Sequence, residues 1–139
     1  MFTKQISVFI ENRKGRLGDI LDVLKASDVN IISMSLADTA EYGLLRIISD
    51  KPEDGKNALK KAGFSAMLTD VFIVSLPHTA GALQSILRVI SDEDISVEYR
   101  YGLSVESNDA SIVVKTSDLE KADEVFAKHG IKTLSYNQL

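Results

Sequence analysis

The amino-acid sequence predicts an α+β fold made of two βαββαβ units whose antiparallel sheets pack closely together. Three observations support this. The apolar pattern repeats at an offset of 66 residues, each repeat alternates β-rich runs with helical stripes, and glycine or polar turns separate these runs. We therefore expect a first domain over residues 1–70 and a second over residues 71–139.

The internal repeat extends over most of each half. The matched pairs are Val8 and Val74, Gly15 and Gly81, Leu17 and Leu83, Asp28 and Asp94, Ile47 and Val113 and, at an offset of 67, Gly63 and Gly130. A repeat of this size indicates that each half forms the same supersecondary unit. Helices on one face of an antiparallel sheet then give a ferredoxin-like arrangement in each half.

The first half predicts strands at residues 5–10, 29–36, 44–49 and 66–69. A helical stripe at spacing i, i+3, i+4 and i+7 lies between the first two strands and consists of Leu17, Ile20, Leu21 and Leu24. A polar turn at residues 38–41 separates the second and third strands. We expect Asp50 to cap the second helix, with Pro52 in its first turn, and Gly63 to end that helix in a left-handed conformation.

The second half predicts strands at residues 71–76, 95–102, 110–115 and 132–136, with a polar turn at residues 106–109. The corresponding helical stripe consists of Leu83, Ile86, Leu87 and Ile90. Ser117 and Glu120 have the spacing of a capping box, so we expect Ser117 to cap the second helix of this half. Gly130 matches Gly63 as the left-handed residue at the helix end.

The composition restricts the function. The chain has 139 residues, a formal net charge of -4 and no cysteine. The absence of cysteine excludes a disulfide framework, a thiolate metal site and a cysteine nucleophile. The acidic balance disfavours broad binding to a phosphate backbone. Residues 1–10 lack the pattern of a signal peptide, and no apolar run approaches the roughly 20 residues of a membrane span. We expect a cytoplasmic protein without a cofactor or a metal.

The loops from first strand to first helix are the candidate binding segments of the two halves. They cover residues 11–17 and 77–83, with Gly15 and Gly81 at the helix start. The first amides of a helix lack internal acceptors and carry partial positive charge, so they accept a carboxylate or a phosphate. A glycine in such a place also serves as a plain turn residue, and the loop by itself leaves both interpretations open.

These loops carry a resemblance to a known family. The first half resembles the ACT domain family in the run Asn12-Arg13-Lys14-Gly15-Arg16-Leu17 and in the later run Val29-Asn30-Ile31. Members of that family are regulatory modules of amino-acid-metabolising enzymes. Residues 74–83, followed by residues 94–97, resemble the same pattern. The family's usual proline before the glycine is replaced by Lys14 and Ala80, and His78 occupies the place of Asn12.

The resemblance implies an amino-acid ligand held between this loop of one domain and the second strand of a neighbouring domain. Amides near Gly15 or Gly81 would bind the carboxylate, Asn12 or His78 would form side-chain hydrogen bonds, and Glu98 would pair with the ammonium. The implied ligand-binding residues are Asn12, Arg13, Lys14, Gly15, Arg16 and Leu17, then Ile32, Ser33 and Met34, then His78, Thr79, Ala80, Gly81, Ala82 and Leu83, and finally Glu98 and Tyr99.

The second strands of the two halves differ in chemistry. By the 66-residue register, Ile32, Met34 and Leu36 correspond to Glu98, Arg100 and Gly102. We expect this apolar set to lie on the sheet face that no helix covers. A monomer rarely exposes such a patch, so the face should be buried against another domain or subunit, most simply in a homodimer.

Two other functions fit parts of the sequence. The basic run Arg13-Lys14-Gly15-Arg16-Leu17-Gly18 has the GxxG spacing of RNA-binding loops, but stacking aromatics are few, with Tyr99 and Tyr101 as the candidates. Acylphosphatases share the topology and bind phosphate through an arginine, for which Arg13 or Arg16 would serve, but their signature is absent. His129 is expected at the end of a helix, just before Gly130, where a basic side chain interacts favourably with the helix dipole. This structural role accounts for His129 without a catalytic one.

We therefore expect a non-catalytic, amino-acid-binding regulatory protein. Two schemes fit it, with the sensor as the first and the regulatory subunit as the alternative. The protein senses an amino acid and modulates a separate metabolic enzyme or regulator in trans, or it is a non-catalytic regulatory subunit of an amino-acid biosynthetic enzyme. In both, ligand binding would favour one packing of the domains, which the partner then recognises.

Overall fold

The structure is a computed structural model that describes residues 1–77, 79–103 and 110–139. The chain separates into two compact units. The N-terminal unit comprises Lys4–Thr69, and the C-terminal unit comprises Met1–Thr3 together with Asp70–Leu139. Each unit has the predicted βαββαβ order. The predicted turn at residues 106–109 and the candidate ligand residue His78 lie outside the described residues.

The N-terminal unit contains a sheet with the strand order β2-β3-β1-β4. Its elements are β1 (Thr3–Glu11), α1 (Arg16–Ala26), β2 (Ile31–Asp38), β3 (Tyr42–Ser49), α2 (Pro52–Lys61) and β4 (Ser65–Leu76), of which Ser65 to Thr69 belong to this unit. The strand pairs β1–β3 and β2–β3 are antiparallel. The core lies between this sheet and the two helices, around Ile6, Val8, Ile20, Leu24, Leu45, Ile47 and Leu59.

The C-terminal unit begins with Asp70 to Leu76 of β4, which pairs with β6 on one side and β7 on the other. Its further elements are α3 (Ala82–Asp92), β5 (Val97–Leu103), β6 (Ala110–Thr116), α4 (Leu119–Lys128), β7 (Thr133–Leu134) and a 3-10 helix (Tyr136–Gln138). The core surrounds Phe72, Val74, Ile90, Val114 and Phe126. In the described part of the chain, no helix has the length and apolarity needed to cross a membrane.

Three predicted strands differ from the observed ones. Residues 66–69 and 71–76 form one continuous strand, β4, because neither glycine nor proline interrupts the extended backbone at Asp70. The predicted strand at residues 132–136 is reduced to Thr133–Leu134. The chain then turns into the 3-10 helix because Ser135 and Gln138 form a reciprocal capping box, in which the Ser135 amide donates to Gln138 Oε1 at 2.8 Å.

The predicted caps of α2 and α4 were assigned to the wrong residues. Asp50 Oδ1 accepts the amide of Asn30 at 2.8 Å, and Ser117 Oγ accepts the amide of Ser96 at 3.0 Å. Both side chains therefore hold the segment that enters the second strand of their unit. Helix α2 begins at Pro52 without a side-chain cap, as the predicted place of that proline allows. Helix α4 is capped by Asp118, whose carboxylate accepts the Lys121 amide at 3.0 Å.

The packing of α2 onto the sheet requires a glycine in the middle of the helix. Gly55 is buried, and a Cβ atom at this position would lie 2.7 Å from Ile6 Cδ1 and 3.3 Å from Leu24 Cδ2. Any side chain would have to displace these fully buried neighbours, which costs energy in a close-packed core. Gly55 therefore sets how closely α2 approaches β1 and α1, at some expense in helix propensity.

The α-helices of the described residues all end in the same left-handed turn. The left-handed residue is Asp28 (φ 57°) after α1, Gly63 (φ 95°) after α2, Asp94 (φ 60°) after α3 and Gly130 (φ 66°) after α4. The next amide then returns to the helix, as where Ile95 N donates to Ile90 O at 3.2 Å. The predicted glycines are confirmed. The two aspartates adopt a conformation that is unfavourable for residues other than glycine.

The left-handed turn after α3 can be tested by substituting its aspartate. The variant Asp94→Gly should raise the free energy of unfolding by about 0.5–1 kcal/mol, because glycine adopts positive φ without steric cost. The variant Asp92→Gly removes the same side chain from the last residue of α3, where φ is helical, and should lower it by about 0.5–1 kcal/mol. Urea unfolding measures both values. Equal destabilisation by the two variants would contradict the assignment of the turn.

Candidate functional site

Helix α1 begins at a glycine that supplies no cap. Gly15 adopts φ 88° and ψ -10° at the N-cap position, and no side chain accepts a hydrogen bond from the first helical turn. The loop before it is tied down by its backbone, because Asn12 N donates to Glu41 O at 2.8 Å and Arg16 N donates to Arg13 O at 3.3 Å. The left-handed conformation, which glycine allows, thus turns the chain from β1 into α1.

The first turn of α1 presents free backbone donors. The Asp19 amide donates to Gly15 O at 2.9 Å, but the amides of Leu17 and Gly18 donate to no acceptor in the described part of the chain. Such amides carry the partial positive charge of the helix start. They are suited to bind a carboxylate or another anion.

The side chain of Asn12 fastens the β2–β3 turn to this loop. Its Nδ2 donates to Thr39 O at 3.2 Å and to Ala40 O at 3.0 Å. Both amide hydrogens are used in this way, and only the acceptor Oδ1 is left for a ligand. Asn12 therefore positions the turn and has one remaining role, which is to accept a hydrogen bond.

A cleft of about 220 Å³ lies where this loop meets the ends of β1, β2 and β3. It is lined by Ile10, Glu11, Asn12, Arg13, Leu17, Leu36, Asp38 and Gly43. Ile10 is buried and Leu17 half-buried, whereas the charged residues are exposed, so we call the apolar side chains the floor of the cleft and the charged groups its rim. Arg13 Nε is paired with Glu11 Oε2 at 3.1 Å, while the Asp38 carboxylate has no side-chain partner among the described residues. We call this the N-terminal cleft.

Three of the predicted loop residues do not line the N-terminal cleft: Lys14, Gly15 and Arg16. The guanidinium of Arg16 lies 4.2 Å from the centre of the Phe64 ring, and its Nη1 lies 3.5 Å from Asp19 Oδ2. Arg16 therefore packs on Phe64, beyond the end of α2, which weakens a phosphate-binding role for it. Lys14 is exposed.

The predicted strand residues Ile32, Ser33 and Met34 do not line the N-terminal cleft; Leu36, two residues further along β2, does. Their expected place opposite the loop of a neighbouring domain stays a prediction. The expected face of β2, however, was wrong. Met34 pairs with Ile47 and Leu36 with Leu45, which are core residues on the helix-covered side. A register shift between Ile31 and Ser33 is the reason, because an extra residue in a strand reverses the alternation that follows.

Met34 and Leu36 are nevertheless exposed, at 44% and 43% of their surface. They lie on β2, which ends the strand order of the sheet in this unit, so that the helices leave them partly uncovered. Met34 and Leu36 therefore lie at an edge of the sheet and not on the sheet face that no helix covers.

The C-terminal unit has a similar loop with different chemistry. Gly81 adopts φ 83° at the N-cap of α3, without a side-chain cap. The amides of Leu83 and Gln84 have no acceptor among residues 79–103. The adjoining cavity of about 430 Å³ is lined by Thr79, Gly81, Ala82, Leu83, Gln84 and Leu87, none of which is charged. Ala80 borders a neighbouring cavity of about 240 Å³ with Arg88.

The predicted residues of β5 do not meet this loop in either of these cavities. Glu98 is exposed and Tyr99 is half-buried, and a register shift lies between Val97 and Tyr99. This shift matches the one between Ile31 and Ser33 at the 66-residue offset. The repeated irregularity thus places Glu98 within a bulge, away from the residues that line the loop cavities.

Four lining residues of the cleft were not predicted from the sequence: Ile10, Leu36, Asp38 and Gly43. Glu11 was predicted only as part of the candidate loop. They come together through strand pairing, in which Ile10 lies opposite Gly43 and Gly43 opposite Asp38. The sequence signal that could have identified this cleft is a charge beside each turn, with Glu11 before the loop and Asp38 before the β2–β3 turn. Gly43 near the start of β3 is the third part of that signal.

Comparisons with known proteins agree with this architecture. The family described as ACT domain pair matches residues 1–139. A protein of solved structure from Bacteroides thetaiotaomicron is 34% identical, with a TM-score of 0.91, and the match covers 96% of this chain and 92% of that chain. No curated protein matches the sequence.

Regulatory subunits of aspartate kinase have the same fold. The ligand-free subunit from Thermus thermophilus is 12% identical, with a TM-score of 0.64, over 90% of this chain and 91% of that chain. The subunit from Thermus flavus is 16% identical, with a TM-score of 0.64, over 89% and 88% of the two chains. The internal repeat, the paired βαββαβ units and the match over residues 1–139 place the chain in the ACT domain pair family.

Proposed function

We propose that this protein is a non-catalytic regulator that binds a free amino acid in the N-terminal cleft. The observation that carries the proposal is the pair of free amides at Leu17, which lines the cleft, and at Gly18, the residue that follows it, together with cleft charges of both signs. A free amino acid needs a partner for its carboxylate and another for its ammonium, and this cleft offers both.

The two ends of the ligand have distinct partners in this proposal. The carboxylate binds the amides of Leu17 and Gly18, where the helix dipole favours negative charge. The ammonium binds the Asp38 carboxylate at the rim and donates to Asn12 Oδ1. A charged ligand gains more from such hydrogen bonds than a neutral one does, which favours the zwitterion over an uncharged metabolite.

A binding role is favoured over catalysis by the residues of the cleft. Its lining is made of aliphatic, acidic, amide, arginine and glycine residues, without a serine, cysteine or histidine that an adjacent base could activate. We infer that the protein acts in the cytoplasm on a separate enzyme or regulator. The alternative is a regulatory subunit that stays bound to its enzyme, and copurification with a catalytic protein distinguishes the two.

We further propose that the protein is a homodimer joined at the edge strand β2. The strand leaves Met34 and Leu36 exposed and carries no charged residue before Asp38. The corresponding strand β5 carries Glu98 and Arg100, charges that protect a sheet edge from pairing. Leu36 belongs both to the N-terminal cleft and to this edge, so ligand binding would be coupled to dimer packing.

The amino-acid site is tested by the variant Gly15→Ala. A side chain at φ 88° strains the loop that presents the Leu17 and Gly18 amides, so the affinity for the amino acid should fall by about tenfold or more. Wild-type protein at a ligand concentration about 100 times Kd should gain roughly 2.7 kcal/mol of stability. Thermal-shift screening against the common amino acids finds the ligand, and calorimetry measures its Kd.

The matched control is Gly63→Ala, which introduces the same kind of strain at φ 95° beyond the end of α2, outside the cleft. Gly63→Ala should lower the melting temperature of the unliganded protein about as much as Gly15→Ala does, and it should leave Kd unchanged. The proposal fails if no amino acid shifts the wild-type melting temperature at millimolar concentration, or if both glycine variants bind the ligand as wild type does.

The dimer is tested by the variant Met34→Glu. A carboxylate on β2 would meet its own copy across a two-fold axis, and like-charge repulsion should weaken the dimer by about tenfold or more. Sedimentation equilibrium measures the dimer dissociation constant. The control Met67→Glu changes a more exposed methionine on β4, at 61% exposure, and should leave the dimer intact. A monomeric wild-type protein, or equal effects of both variants, would refute the β2 interface.

A further inference from the structure

We infer that the N-terminal cleft selects an amino acid with an aliphatic side chain and that Gly43 sets the size of side chain it accepts. The inference rests on the proposed function, since it assigns the ligand class of the same site. It follows from three features of the cleft: an apolar floor, a charged rim and a glycine against which the floor side chains Leu36 and Ile10 pack closely.

The floor of the cleft is formed by aliphatic side chains. Ile10 is buried, Leu17 is half-buried, and Leu36 leaves 43% of its surface exposed. An aliphatic ligand side chain placed on this floor removes its own surface and part of Leu36 from water. Each methylene buried in this way raises the affinity by about fourfold. A charged or amide side chain would lose its hydration there without finding a partner.

The charges of the cleft lie at the rim and not in the floor. Glu11, Arg13 and Asp38 are all exposed, and Glu11 and Arg13 neutralise each other at 3.1 Å. The ligand's charged groups are thereby held at the mouth, and its side chain is the part directed onto Ile10 and Leu36. The rim fixes the orientation of an amino acid, and the floor determines which side chain binds best.

Gly43 acts on the cleft through Leu36 and Ile10, because a side chain at this position would displace both of these lining residues. A Cβ atom at this position would lie 3.0 Å from Leu36 Cδ1, 3.1 Å from Ile10 Cγ2 and 3.4 Å from Asp38 Cβ. The residue is buried in β3 and does not have a positive φ, so the backbone does not require glycine here. The volume of about 220 Å³ lies below the about 300–1,000 Å³ of sites for drug-sized ligands, which suits a single amino acid.

The corresponding loop of the C-terminal unit lacks these features. At the 66-residue offset, Pro77 replaces Glu11, Thr79 replaces Arg13 and Gly102 replaces Leu36. The cavity beside Gly81 is lined without a charged side chain. Among the residues that the structure describes, we therefore assign the aliphatic amino-acid site to the N-terminal unit.

The experiment measures calorimetric dissociation constants of the full chain for glycine, alanine, valine, leucine, isoleucine, serine, aspartate and lysine. Affinity should rise from glycine through alanine to valine and leucine or isoleucine. Serine, aspartate and lysine should bind at least about tenfold more weakly than the best aliphatic ligand. The variant Gly43→Ala should weaken the binding of the larger aliphatic ligands by about tenfold or more and change alanine by less than about threefold.

The matched control is Gly102→Ala, which changes a strand glycine in the C-terminal unit. A Cβ atom at Gly102 would meet no atom of the described residues within 4 Å, so this variant should leave all affinities unchanged. A second variant, Leu36→Ala, changes a partly exposed floor residue and tests the same surface if Gly43→Ala unfolds. It should lower the affinity for leucine or isoleucine by about fourfold or more and leave glycine unaffected.

The outcomes separate this inference from the proposed function. If no amino acid binds the wild-type protein, both are overturned. If a polar or charged amino acid binds most tightly, or if Gly43→Ala and Leu36→Ala weaken all ligands by the same factor, amino-acid binding stands and the aliphatic selectivity is overturned.

Discussion

The structure of the candidate site depends on one helix that begins without a cap of its own. Gly15 has no side chain to accept the amides of Leu17 and Gly18, whereas Asp118 supplies such an acceptor to α4. Unsatisfied donors at a helix start attract an anion from solution. The same conformation at Gly81 shows that the repeat preserves this feature in both units. The surroundings of the two loops differ, and the proposed ligand is assigned to the first loop on that ground.

The surroundings of the first loop are built by strand pairing and by one amide side chain. Asn12 binds the carbonyls of Thr39 and Ala40 and so holds the β2–β3 turn beside the loop. Pairing of Gly43 with Ile10 on one side and with Asp38 on the other then forms the cleft. The apolar floor and charged rim follow from residues that are far apart in sequence but adjacent in the sheet.

The sequence was sufficient to predict the βαββαβ units and the loop glycines, because apolar periodicity and glycine at a repeated offset are local signals. It was insufficient at the start of β2, where a one-residue bulge at Ile31–Ser33 moves Met34 and Leu36 to the helix side of the sheet. Periodicity cannot reveal a bulge, since counting by twos assumes an unbroken strand. The cap assignments of Asp50 and Ser117 were wrong for a related reason, as a carboxylate or hydroxyl before a helix has more than one backbone amide within reach.

The most direct test of the account is an NMR titration of the ¹⁵N-labelled protein with the amino acid that stabilises it most. The amide resonances of Leu17 and Gly18 should shift in a saturable way, with the downfield proton shift of a new hydrogen bond to a carboxylate, and the Gly43 resonance should shift with them. Saturable shifts confined to residues 79–84, or the absence of any saturable shift at Leu17 and Gly18, would contradict it.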